Sequence, residues 1–278
     1  MKTFLRTGVL LALPLLIGAC ADELPEPIRR ERTEVRFMAD WSDLASDIPV
    51  PEAWRLRIGN DSYPVEGNTT GITLLSASDY TAVAYTEAEG ISVSGTNAVL
   101  TARSGAAATV GHLSAAVVDL TGLQGKRSLD MPLRMQQRTF GLNFVLNFGK
   151  RNITAATGTL SNVASCVDLR TGKFLSAGEI AMDFSIPDAG ERSLTASVRI
   201  FGVMPESSQV LSLELSTPDG PVVVESDLTE ALADLASRDD NTALTLGADL
   251  DAEDLFGSVS DWTVVEGGPI VPEKKNQQ

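Results

Sequence analysis

Apolar and polar residues alternate with a period of two over most of the chain. In "EVRFMADW", Val35, Phe37 and Ala39 fall on one face, with Trp41 just beyond. "AWRLRIG" repeats the pattern with Trp54, Leu56 and Ile58. "GITLL", "YTAVAYTE" and "GISVSG" follow, separated by Gly, Asn, Ser and Asp. The longest alternation is "TFGLNFVLNFGK", in which Phe140, Leu142, Phe144, Leu146 and Phe148 share a face. "EIAMDFSIP" places Ile180, Met182, Phe184 and Ile186 in the same way, and "SLTASVRIFGV" continues it. Such runs predict short, half-buried strands joined by turns. Pro218-Asp219-Gly220 stands between two apolar runs and predicts a hairpin.

One stretch departs from period two. In "SDLTEALADLASRDD", Asp227 is placed to cap a helix, with Glu230 three residues on as in a capping box. Leu228, Ala231, Leu232 and Leu235 then keep helical spacing, which predicts one short helix of two to three turns. Strands every 8–12 residues with a single helix make the chain all-β, two β-sandwich domains in tandem. Thr121–Pro132, "TGLQGKRSLDMP", lacks sustained alternation and is the expected passage between them. The domains are then 33–125 and 126–272, followed by a tail, 273–278.

The N-terminus has a different pattern. Lys2 and Arg6 precede an apolar stretch from Thr7 to Ile17, of the length of a signal-peptide core and short for a permanent span. Ile17-Gly18-Ala19-Cys20 resembles the bacterial lipobox. That resemblance implies a leader over 1–19, diacylglycerol on the Cys20 sulfur and acylation of the new amine. Residues 20–32, with Pro25, Pro27 and "IRRER", read as a tether too polar to bury. Asp22 and Glu23 look like the surface-export signals of Bacteroidales lipoproteins. Acyl chains contribute about 0.8 kcal/mol per buried methylene, so several hold a protein to its membrane. With Cys20 modified, Cys166 is the one thiol left and has no disulfide partner. Its setting, "SNVASCVDL", favours a buried, inert thiol.

Charge narrows the partners. The net charge is −15, and losing Lys2 and Arg6 with the leader takes it to −17. Such a surface repels phosphates, so no nucleic acid is expected, and the lipid is the expected contact with the outer membrane. Recognised chemistry is sparse. His112 is the single histidine and falls in an expected strand without carboxylate or cysteine neighbours, so it reads as structural. Asp249, Asp251, Glu253 and Asp254 invite calcium, but an EF-hand loop needs Gly sixth and Glu twelfth. Those places hold Asp254 and Ser260. No phosphate loop, dinucleotide fingerprint or nucleophile elbow is present, and no spacing selects a carboxylate pair. Neither an enzyme nor a cofactor or metal is expected. Trp41, Trp54 and Trp262 offer either core packing or a sugar platform, and core packing is the default in alternating strands.

Several stretches carry a further resemblance: "DWS…P" after the first strand, "YTAVAY", and "LSNVA…DLRTG". With the leader and their order, they make the chain similar to the fimbrillin-like and fimbrial anchor lipoproteins of Bacteroidales type V pili. The resemblance implies transthyretin-like sandwiches and a role as structural, anchor or accessory subunit of fimbriae, with other fimbrial subunits as partners. It also implies β-strand exchange, in which an extended segment completes a neighbour's open sheet. Arg29, Arg30 and Arg32 then either solvate the tether or present a site to an arginine-specific protease. "VVEGGPIVPEKKNQQ", with Val264, Val265, Ile270 and Val271, is either an exchanged strand or a frayed end. The alternative function is a lipid-anchored binding module for a glycan or host protein.

Overall fold

In a computed structural model of the chain the described residues are 31–101, 110–149, 152–186, 192–233, 235, 241–251 and 258–265. Eighteen strands are described. The first ten are β1 (Arg32–Asp40), β2 (Ala53–Ile58), β3 (Asp61–Glu66), β4 (Thr69–Leu75), β5 (Tyr80–Tyr85), β6 (Ile91–Ser94), β7 (Asn97–Leu100), β8 (Ser114–Leu120), β9 (Ser128–Arg134) and β10 (Gln136–Gln137). Then come β11 (Phe140–Phe148), β12 (Ala155–Asp168), β13 (Phe174–Phe184), β14 (Ser193–Ile200), β15 (Val210–Thr217) and β16 (Gly220–Asp227). A single helical turn, α1 (Thr229–Leu232), precedes β17 (Leu244–Asp251) and β18 (Ser258–Val264).

The protein is all-β, with its sheets packed in two pairs. A three-stranded sheet, β4-β1-β9, faces a five-stranded one, β10-β8-β5-β2-β3. Val35 and Phe37 from the first meet Trp54, Leu56 and Ala84 from the second in one core. The second pair sets β14-β11-β17-β18 against β16-β15-β12-β7-β6. There Leu142, Phe144 and Leu146 meet Leu160, Leu213 and Val224. The alternating runs quoted above fill these cores: Trp54, Leu56 and Ile58 are buried, as are Ile180, Met182 and Phe184. Fully burying each such side chain stabilises by about 1.5–3 kcal/mol, so the pattern of two fixes which face is inside. Ile186, expected on that face, lies past the end of β13 and is exposed. The turn at Pro218-Asp219 joins β15 to β16, with Thr217 opposite Gly220.

Chain order and sheet membership interleave across 125/126. Strand β9, within the stretch read as a passage, lies parallel to β1 with Val35 opposite Leu129 and Phe37 opposite Met131. Leu123 is fully buried, and the Thr33 hydroxyl reaches the carbonyls of Leu123 (3.0 Å) and Lys126 (2.8 Å). Conversely the hairpin β6–β7 joins the second pair of sheets, where Val99 pairs with Cys166 on β12. Arg32, assigned to the tether by its charge, is the first residue of β1 and stands opposite Leu75.

The helix is shorter than its spacing predicts. Asp227 ends β16 and accepts the Thr229 amide at 2.8 Å, an Asx turn rather than the capping box expected with Glu230. The apolar residues Leu228, Leu232 and Leu235 are nonetheless buried in the second core.

A third cluster joins the two pairs. Val83 and Ala115, on the back of β5 and β8, pack against Ala98, Ala164 and Val167 of β7 and β12. The "YTAVAY" strand is therefore buried on both faces: Ala82 and Ala84 look into the first core and Val83 into the joint. Truncating Phe144, fully buried in the second core, leaves a cavity. Phe144→Ala is expected to lower unfolding stability by about 3–5 kcal/mol in urea denaturation, with the m-value unchanged.

Candidate functional site

Of the residues marked in the sequence, Cys20, Arg29, Arg30, Glu253, Asp254, Ile270 and Val271 lie outside the described residues. Arg32 lies within them. Its side chain is exposed, but its backbone sits in the β1–β4 ladder, and the Glu31 carbonyl accepts the Ser76 amide at 2.9 Å. An arginine protease needs an extended, unpaired substrate, so Arg32 is poorly presented. Asp249 stands on β17 with its Oδ1 accepting the Asn147 amide at 3.3 Å.

The tryptophans do not form a platform. Trp41 and Trp54 are buried in the first core, donating to Asn68 Oδ1 (3.0 Å) and the Gly67 carbonyl (2.8 Å). Trp262 on β18 is half-buried, donates to Ser226 Oγ at 2.7 Å, and meets Phe144 edge-on at 6.1 Å. Each ring packs and satisfies its N–H, the arrangement expected of core indoles.

His112 precedes β8 rather than lying inside a strand. Its Nε2 is 2.9 Å from Ser114 Oγ, while Nδ1 is buried without a partner. Burial drives its pKa down to about 4, with Arg199 adding to the effect and Asp47 opposing it. Cys166 is half-buried rather than fully enclosed, and burial, then Asp168, push its thiol up, which leaves little thiolate.

Sheet edges differ in how they are guarded. Edge strand β3 carries Pro64 and edge strand β9 carries Pro132, each removing an amide that a new strand would use. Strand β18 is one edge of its sheet and has no proline, which is true also of β14 at the other edge and of edge strand β4. Its only described ladder, to β17, is broken by a register shift at Gly247/Asp249. Val264 and Val265 at its end are 51% and 43% exposed. Sequence reasoning named these valines but not the edge, because the neighbours of a strand are not written in its own residues.

Between the two sheet pairs, polar groups surround the apolar joint. Arg57 donates to the carbonyls of Val93 (3.2 Å) and Gly95 at the β6–β7 turn. Arg170 pairs with Asp119, and with the Thr81 hydroxyl it holds that carboxyl down at about 2. Gln137 Nε2 donates to the carbonyls of Thr139 (3.0 Å) and Asn241 (2.9 Å). Arg138, beside it, donates from Nη2 to Gln136 Oε1 (2.7 Å) and the Leu169 carbonyl (2.6 Å). A cavity of about 180 Å³ opens here, lined by Gln137, Arg138, Phe140, Gly172, Phe174 and Phe201. A larger one, about 560 Å³, lies beyond Phe174 against Met204, Glu206 and Gln209.

With these features in place, solved structures give the context. The chain aligns with the fimbrial anchor protein Mfa2 from Porphyromonas gingivalis at a TM-score of 0.59 and 11% identity, covering 84% of this chain and 97% of that one. A candidate adhesin from Bacteroides ovatus gives 0.59 and 14%, over 73% and 85%. A candidate polysaccharide-binding protein from Bacteroides thetaiotaomicron gives 0.55 and 10%, over 84% and 98%. The chain shares its fold with these solved proteins. No protein-family model matches the chain, and no curated protein matches it by sequence. Among the described residues no helix is long and apolar enough to cross a membrane.

Two outcomes follow from the local chemistry. Below pH 6.5 the unfolded chain protonates His112, while the folded chain resists until about pH 4. Stability held by the neutral ring is therefore lost as pH falls through that window. His112→Gln should remove about 2 kcal/mol of the loss between pH 6.5 and 4, read as a shallower fall in urea-melt stability. Separately, an arginine-specific protease should cut after Arg32 about a hundredfold more slowly in the native chain than in the urea-unfolded one, by peptide mass mapping. That factor corresponds to a local opening cost of ~3 kcal/mol.

Proposed function

We propose that this chain is a lipid-anchored protein of the cell surface that serves as a structural, anchor or accessory subunit of fimbriae. It works by β-strand exchange and subunit contact, and it is not an enzyme. The fold supports this reading, since the solved proteins that share it are described as adhesins and a fimbrial anchor. The observation that carries it is the contrast between edges. Pro64 and Pro132 close β3 and β9 to pairing, whereas β4, β14 and β18 are proline-free edges, and of these three β18 alone ends in exposed valines. An extended segment of a neighbouring subunit would pair there through main-chain hydrogen bonds, its side chains meeting Val264 on one face of the sheet and Val265 on the other. Lipid on Cys20 would hold the assembly to the outer membrane, with Asp22 and Glu23 directing the chain outward.

The alternative, a lipid-anchored module for a glycan or host protein, is favoured by one feature. The 560 Å³ cavity has an apolar wall, Val203 and Met204, beside the polar groups of Ser207, Ser208 and Gln209, a mixture that suits a sugar. With Trp41 and Trp54 buried, only Trp262 is placed to report glycan binding by quenching.

Isolation of the full-length chain from its own outer membranes, in mild detergent, should recover fimbrial subunits with it. Val264→Pro, which removes an edge amide and costs the isolated fold little, should cut that recovery about tenfold. Recovery of the chain only as a free monomer, with fibres unchanged when it is deleted, would sink the reading. Labelled palmitate should be incorporated by the native chain and not by Cys20→Ala.

A further inference from the structure

The small cavity at the joint is lined by a cation that forms no described ion pair. The described ion pairs are Arg55–Glu87, Arg134–Asp43 and Arg170–Asp119, and none uses Arg138. Its described hydrogen bonds go only to an amide oxygen and a carbonyl, both from Nη2; Asp168 acts on it through space without forming an ion pair, while burial opposes its charge. Nε is buried with no hydrogen-bond partner, and the described hydrogen bonds leave Nη1 unused. A half-buried guanidinium in this state is costly unless an anion completes it.

The surroundings look built for this arginine. A Cβ on Gly172 would stand 2.8 Å from Nη1, so glycine at that place is what lets the guanidinium in, and its φ of +74° suits glycine as well. Gly202 plays the same part for the wall: a Cβ there would stand 2.3 Å from the Phe174 ring, at a φ of +148°. Phe140, Phe174 and Phe201 supply three aromatic faces around a volume of about 180 Å³. No described carboxylate lines the cavity.

We propose that this cavity binds the carboxylate of a small apolar acid, the chemistry of a peptide chain end that carries an apolar side chain, with Arg138 as the anion's partner. The carboxylate would take Nη1, which the described hydrogen bonds leave unused, and the apolar body would replace solvent against the phenylalanines. Binding here would not depend on strand exchange at β18. It uses another part of the molecule and other forces.

Titration calorimetry on the full-length chain tests this with phenylacetate and its neutral isostere phenylacetamide. Phenylacetate should bind saturably, and the amide at least about tenfold more weakly, as loss of a charge-assisted hydrogen bond implies. Arg138→Gln should abolish the preference for the acid, and Arg138→Lys, which keeps the charge, should retain part of it. Thermal melts of both variants check that they fold, and the lysine variant alone decides the matter if the glutamine variant does not. N-acetylphenylalanine and glucuronate separate the two sources of carboxylate, and the former should bind tighter. Equal affinity for acid and amide, absence of saturable binding by phenylacetate, or tighter binding of glucuronate would each overturn the proposal.

Discussion

The architecture depends on how one long strand satisfies its backbone. Strand β12 runs for 14 residues and has β13 along one side for nearly its whole length. No single strand covers the other side. There β15 pairs with Ala155–Leu160, and β7 with Cys166, Val167 and Asp168. The break falls near Asn162, which takes a φ of +53° and donates to the Ser208 carbonyl at 2.7 Å. Because buried backbone groups must be paired, the hairpin β6–β7 is drawn out of the first half of the chain to finish a sheet in the second. The joint between the sheet pairs follows from that loan. Once β7 lies beside β12, the back of β5 and β8 has an apolar surface to cover.

The joint then dictates residue size. Strands β5 and β8 need small or branched residues on both faces, and Ala82, Val83, Ala84, Ala115 and Ala116 supply them. Arg57, Arg170 and Gln137 close the polar rim with hydrogen bonds to carbonyls and a carboxylate. Arg138 is the exception, a cation set among phenylalanines with donors left over. Local rules hold around it everywhere but at the guanidinium, and such a conflict is where function is to be sought.

Much of the fold was legible, and the reasons are physical. Period-two alternation marks a strand with one dry face, so Phe37, Leu56, Phe144 and Met182 pointed to the core without any partner being known. Strand β9 was not legible. Its apolar residues Leu129 and Met131 are half-buried and only Leu133 is fully so, and it sits at an edge, parallel to a strand almost a hundred residues earlier. Nor could β6–β7 be assigned to its sheet, since "GISVSG" says strand but not whose. The helix was overread because Leu228, Leu232 and Leu235 can reach one core from a single turn and the chain that follows it. The unblunted edge at β18 and the unpaired charge at Arg138 are properties of neighbourhoods, and no stretch of chain announces either.

Both sheet pairs place an early strand parallel to a late one: β1 beside β9, and β11 beside β17. Tension entering at Glu31 meets β1 at its start and passes on from the end of β9, so it strains that ladder in shear and all its bonds must yield together. In the second pair the chain turns back from β17 into the antiparallel β18, and a pull from that side would unzip the hairpin one bond at a time. The first pair therefore suits a molecule held from its N-terminal side, and resistance of that kind is governed by the rate of forced unfolding rather than by equilibrium stability.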